Sequence, residues 1–339
     1  MEIGIYTFAD VQAGQPEFAG QRLRNLVEEM KLADEAGLDV FAVGEHHRAD
    51  YAASAPPIAL AAGAAVTKRI RLSSSVTVLS SDDPVRVYQQ FATVDGISNG
   101  RAEIMAGRGS FIESYPLFGY DLDDYDALFS EKLDLLMKLN EGERITWAGA
   151  LRPSLNNAGI YPRPEQKKLP IWIAVGGTPN SVVRAASLNL PMALAIIGGD
   201  PRRFKPFYDL YRQAHAKAGH HPSEIKLSLN LHGFVSDSTQ NAKQIYGAAQ
   251  MEVMNRIGQE RGWPSQGMDH FERATRDDGN LIVGDAARVT ERILQLHEVF
   301  HNTRILIQMA IGTVPHAAQL KAIEILGSKV APAVKKALT

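Results

Sequence analysis

The chain has 339 residues, a formal net charge of −2 at neutral pH and no cysteine, with an isoelectric point near 6.6. That balance excludes charge-driven binding to nucleic acid or an acidic membrane surface, and the missing cysteines exclude disulfides, thiolate metal sites and a cysteine nucleophile. The N-terminus lacks a basic n-region, and no uncharged apolar run approaches the roughly 18 residues of a membrane helix, so a cytoplasmic protein is expected.

Strand-like and helix-like patterns alternate along the sequence. Ile3 to Phe8 reads as a buried strand, and Gln21 to Ala36 carries apolar residues at helical spacing before the stop signal Gly37. Val40 to Gly44 is the second strand, running into Glu45-His46-His47-Arg48. Pro56 to Val66 is an alanine-rich helix, Ile70 to Leu79 a β-branched strand, and Pro84 to Ile97 a helix ended by Asn99-Gly100. Ala102 to Ala106, Ile171 to Val175 and Met192 to Ile196 are further strands, with helices over Asp126 to Asn140 and Asn180 to Leu188. Lys226 to Val235, a helix from Asn241 to Ile257, Arg304 to Met309 and a helix from His316 to Leu326 complete the series.

Eight βα units predict a single (β/α)8 TIM barrel spanning residues 1–339, because parallel strands need crossover helices and repeated crossovers close into a ring. A doubly wound open sheet is the alternative. Two stretches interrupt the rhythm as insertions, Gly142 to Lys168 before strand five and Gly262 to Ala286 before strand eight, and the second is a candidate lid.

Three stretches carry chemistry. A strand ending in Glu45, His46 and His47 places proton-handling groups where α/β folds bind ligands. Adjacent extended residues point to opposite faces, so the two histidines do not share a metal, and no His-x-His pair supports a metal-dependent hydrolase. The bland reading is a hydrogen-bonded pair in a strand-end turn. Val175-Gly176-Gly177-Thr178-Pro179 is a glycine turn opening a helix, suited to backbone approach and to an anion, with Thr178 and Ser181 as hydroxyl donors and Arg184 as a nearby charge. An ordinary capped helix start is its alternative. The third is Ile70 to Leu79 followed by Asp83-Pro84-Val85-Arg86, then Asp95-Gly96-Ile97-Ser98-Asn99-Gly100-Arg101 leading into Ala106-Gly107-Arg108-Gly109.

Taken in this order, Glu45-His46-His47, the Asp-Pro helix start and the Asp95 to Arg101 passage resemble the bacterial luciferase-like superfamily of flavin-dependent monooxygenases, over nearly the whole chain. The resemblance implies a barrel holding FMN, or the deazaflavin F420, at the carboxyl ends of the strands. It also implies a non-proline cis peptide at Ser75–Val76, beside the flavin ring. Ser75, Val76, Arg108, Gly176, Gly177, Thr178 and, more weakly, Ser181 match the family's cofactor contacts. Glu45, His46 and His47 take the proton-handling role, which histidine suits near neutral pH. Luciferases carry a cysteine before the strand-four arginine, and Gly107 here argues against light emission. No nicotinamide fingerprint is present, so reduced FMN is expected from a separate reductase, with O2 and a small organic substrate. F420-dependent hydride transfer and non-enzymatic flavin binding are the alternatives. A homodimer is expected, covered through the small residues of Pro56 to Val66.

Overall fold

The computed structural model describes residues 1–11, 18–109 and 111–339. Eight parallel strands form the barrel: β1 (Glu2–Thr7), β2 (Val40–Val43), β3 (Arg71–Ser74), β4 (Ala102–Gly107), β5 (Ile171–Val175), β6 (Met192–Ile196), β7 (Leu227–Val235) and β8 (Arg304–Gln308). Each pairs with the next, β8 returns to β1 through Ile3↔Ile305, and β6 joins β7 through Leu194↔Leu229, so the ring closes. The expected (β/α)8 barrel is therefore the observed fold.

Alternation along each strand sorts the side chains into two cores. Ile3, Ile5, Phe41, Leu72, Leu229 and Ile305 face outward beneath the helices. Tyr6, Val40, Ala42, Met105, Trp172 and Leu306 fill the lumen, with Phe8 and Val76 packed on top. A buried charge network closes the N-terminal end. Arg304 donates to Glu103 at 2.7 and 3.2 Å and to Glu2 at 2.8 Å, Arg71 lies 3.1 Å from Glu103, and the Arg304 guanidinium sits 4.2 Å from the Trp172 ring centre. Removing one partner from such a network would leave a buried charge uncompensated.

The Asp-Pro and Asp95 to Arg101 stretches turn out to be scaffolding. Asp83 caps helix Pro84–Ser98 by accepting from Val85 N–H at 2.8 Å and Arg86 N–H at 3.2 Å. Asp95 accepts from Ala102 N–H at 3.0 Å and Gln166 N–H at 2.9 Å. Arg101 donates to Thr67 Oγ1 at 2.9 Å and to the Ile70 carbonyl at 2.7 Å. Together they tie helix Pro84–Ser98 to the starts of β3 and β4.

Three expectations need correction. The strand read through Leu79 stops at Ser74 and resumes as Thr77–Val78 beside Ala106 and Gly107. The insertion at 142–168 is not irregular throughout: Arg144–Trp147 and Leu155–Gly159 form an antiparallel hairpin. Within 262–286, helix Met268–Ala274 and strand Ile282–Gly284 are ordered, and that strand runs parallel beside the C-terminal part of β7, from Gly233↔Ile282 to Val235↔Gly284. Among the described residues no helix is long and apolar enough to cross a membrane.

Candidate active site

Beyond Val43 the chain leaves strand geometry at Gly44, where a Cβ would lie 2.2 Å from the Phe8 ring and 2.7 Å from the Ser75 carbonyl oxygen. Glycine is required by that close approach. The side chains of the three residues that follow part in two directions. His46 enters an aromatic cage, its ring centre 4.5 Å from Phe8, 4.5 Å from Tyr51 and 4.8 Å from Phe111. Only 7% of His46 is exposed. Burial, reinforced by the nearby charges of Arg48, His47 and Arg261, pushes its imidazole down to about 3. His46 is neutral at physiological pH, and through Phe8 it rests on the lumen core.

Glu45 and His47 turn the other way. One Glu45 carboxylate oxygen lies 2.8 Å from His47 Nε2, and the other accepts from Val78 N–H at 3.1 Å. The pair thus brackets the resumed end of the third strand. His47 also meets Phe118 edge-on at 5.1 Å. Both residues line a side cavity of ≈ 230 Å³ shared with Thr77, Asp82 and Phe118. Burial, with the Glu45 charge, pushes the Asp82 carboxyl up to about 6. Glu45 and His47 thus line a cavity, while His46 is packed against three aromatic rings.

The Ser75–Val76 peptide is cis. It faces β4 at Gly107, where a Cβ would approach Val76 Cγ2 to 2.8 Å. Across the lumen, Asn230 Nδ2 reaches Ser75 Oγ at 3.5 Å.

Arg108, one residue beyond β4, crosses to the start of helix Pro179–Ser187. Its Nη2 donates to Thr178 Oγ1 and Ser181 Oγ, each at 3.2 Å, while Nη1 pairs with the exposed Asp126 carboxylate. A Cβ on Gly176 would meet open space, and Gly177 holds φ +118° with only Phe207 near, at 4.0 Å. Arg108, Gly176, Gly177, Thr178 and Ser181 thus form one cradle of a guanidinium, two hydroxyls and exposed backbone at a helix N-terminus, a fit for a phosphate. Arg184 is not part of it: its guanidinium donates to Ser130 Oγ at 2.8 Å and covers Phe129.

Sequence reasoning missed a polar wall at the mouth formed by Asp10, Asn230, His232 and Gln308, all buried. Burial pushes His232 down to about 4 and Asp10 up to about 6. A signal for two of them was present. In Leu227-Ser228-Leu229-Asn230-Leu231-His232 the leucines face the helices, so the alternate polar residues must face the lumen. Asp10 lies in a loop after β1 and carries no such signal.

The cradle and the caged histidine both lie at the carboxyl end of a closed parallel barrel, the end at which barrels of this architecture bind their ligands. The chain belongs to the luciferase-like monooxygenase family, whose profile matches residues 1–303. It is similar to N-acetyl-S-alkylcysteine monooxygenase of Bacillus subtilis (strain 168), with 26% identity over 84% of this chain and 85% of that protein. It is also 33% identical to F420-dependent glucose-6-phosphate dehydrogenase of Amycolatopsis mediterranei, over 45% of this chain and 48% of that one. The fold superposes with a TM-score of 0.80 on the FMN complex of the oxygenating constituent of 3,6-diketocamphane monooxygenase from Pseudomonas putida. That match has 20% identity and covers 98% of each chain. The family is one of oxidoreductases, with FMN-using and F420-using relatives.

Proposed function

We propose that the protein is a monooxygenase using reduced FMN and O2 on a small organic substrate, receiving the reduced flavin from a separate reductase and acting as a cytoplasmic homodimer. The observation that carries this reading is the cradle joining Arg108 to Thr178 and Ser181 beside the open backbone of Gly176 and Gly177. These residues would hold the flavin phosphate, and Ser75 and Val76 would lie beside the ring. The flavin, when bound, supplies the activation of O2.

The chain's own residues divide the remaining work. Neutral His46 would hold a proton on one imidazole nitrogen and offer the other as a hydrogen-bond acceptor, since burial leaves it too weak a base to abstract a proton. Phe8, Tyr51 and Phe111 exclude water around it. Glu45 and His47 position the third strand through the Val78 N–H.

F420-dependent hydride transfer is the second reading, favoured by the 33% identity with F420-dependent dehydrogenases over part of the chain. Anaerobic titration with reduced FMN and with F420, followed by admission of O2, separates the two. Tight uptake of reduced FMN and its oxidation on O2 addition is expected. Uptake of F420 alone would replace the monooxygenase reading with the second.

A further inference from the structure

Among the described residues, three buried side-chain atoms at the barrel mouth have no protein hydrogen-bond partner: Asp10 Oδ2, His232 Nδ1 and Gln308 Oε1. They belong to one wall. His232 and Gln308 are register partners on β7 and β8, and Asp10 is tied to the loop beyond β8 by Gly312 N–H at 3.3 Å. Asp10 also lies close enough to Tyr6, the lumen residue of neighbouring β1, to raise its phenol. The exposures are 5, 7 and 2% for Asp10, His232 and Gln308, so bulk water does not satisfy them.

Unpaired polar atoms at such depth are uncommon in folded proteins, and each calls for an explanation. With His232 and Gln308 paired on adjacent strands and Asp10 in the loop tied to Gly312 beyond β8, the explanation that covers all three together is a shared ligand. The wall offers mixed chemistry. A neutral imidazole has one donor and one acceptor nitrogen, a carboxamide side chain carries both functions, and Asp10 Oδ2 accepts. Arg22 and Arg256 lie near Asp10 and temper its charge, so the wall is not built around a full cation. Apart from Asn230 and Ser75, which reach each other across it, the lumen near the mouth is apolar or aromatic at Tyr6, Val76, Met105 and Trp172.

We propose that Asp10, His232 and Gln308 form the substrate-recognising wall. It selects a neutral molecule that presents a hydrogen-bond donor and acceptor together, as a carboxamide or hydroxy-carbonyl group does, on an apolar body. The inference rests on the mouth being the reaction site, as proposed above. A site built to pair a polar group discriminates against analogues lacking that group, because its own buried atoms are then left unpaired.

The test uses the full-length protein with and without flavin, the paired substitutions His232→Phe with Gln308→Leu, and the milder pair His232→Leu with Gln308→Met. Benzamide and toluene serve as matched probes, with affinity read by saturation-transfer NMR. The wild type is expected to bind benzamide at least tenfold more tightly than toluene, a preference that both double variants lose. Melting temperature should hold or rise by about 2 °C, because an unsatisfied group has been removed, and affinity for reduced FMN should not change. The proposal is overturned if both double variants melt lower, if the wild type binds the two probes alike, or if flavin affinity falls tenfold. The last result would assign the wall to the cofactor. If the wild type takes up neither FMN nor F420, it is the flavin reading that fails, and the probe preference still decides the wall.

Discussion

His46 is held as a neutral imidazole by its aromatic cage, and its pH behaviour follows with a definite sign. Its folded value of about 3 lies below the ordinary 6.5, so the unfolded chain binds the extra proton between those values. Stability from His46 is fully present above pH 6.5 and is lost as pH falls toward 3. Relative to His46→Asn, the wild type should lose up to about 1.4 kcal/mol per pH unit across that window. Urea unfolding of both proteins between pH 4.5 and 7.5 measures the difference, and a constant gap would show that His46 titrates normally. Gly176 permits a second residue-scale test. A side chain there meets open space, so Gly176→Val should leave the melting temperature unchanged while filling the cradle. Reduced FMN affinity should then weaken tenfold or more, about 1.4 kcal/mol, by fluorescence titration. Gly177 is a poorer choice, because its φ of +118° strains any replacement.

At the scale of elements, the two ends of the barrel divide labour. The charge network of Glu2, Arg71, Glu103 and Arg304 lies at the N-terminal end, away from the cradle and the polar wall. Glu103→Gln would leave the Arg304 guanidinium short of its main partner in a buried setting, costing about 3–5 kcal/mol by denaturant unfolding. Flavin affinity in the folded fraction should stay as in the wild type. A matching loss of flavin affinity would show that the ends are coupled. The elements also show what the sequence made readable. β5 and β6 match their expected bounds because short apolar runs sit between proline, glycine and asparagine breakers. β3 was read too far because Val76, Thr77 and Val78 carry strand-forming side chains, and propensity says nothing of a cis bond. His46 and His47 do part, as an extended strand would make them, but the strand ends at Val43 before either of them. The Glu45–His47 contact and the Val78 N–H it secures depend on a tertiary approach that spacing alone does not encode. Helix Lys205–Lys217 has a proline at its second position and an aromatic-rich face, which obscured its period.

For the whole molecule, the outer surface bears on assembly. Helix Pro56–Val66 presents Ile58 at 72% exposure and Val66 at 42%, and neighbouring helix Pro84–Ser98 adds Ile97 at 51%. Large apolar side chains on adjacent helices suit a two-fold contact. Light scattering at micromolar concentration should return the mass of a dimer, and Ile58→Glu should shift it to a monomer. A monomeric wild type would refute the assembly. Barrel closure itself was legible from the count of βα units. The polar wall was legible only in part: alternation marks His232 as facing the lumen, but its meeting with Gln308 and Asp10 joins β7, β8 and a loop after β1 that lie far apart in sequence.

The contact between Gly107 and Val76 constrains how this site can evolve. The two positions are locked in order. A Cβ at 107 collides with a stiff, branched side chain at 2.8 Å, so a mutation introducing cysteine there is deleterious first and useful, if ever, only later. Trimming Val76 to alanine opens the path. Gly107→Cys should therefore fold poorly alone and be rescued by Val76→Ala, a case of sign epistasis in which history, not chemistry, decides whether a lineage of this barrel ever places a thiol at the end of β4.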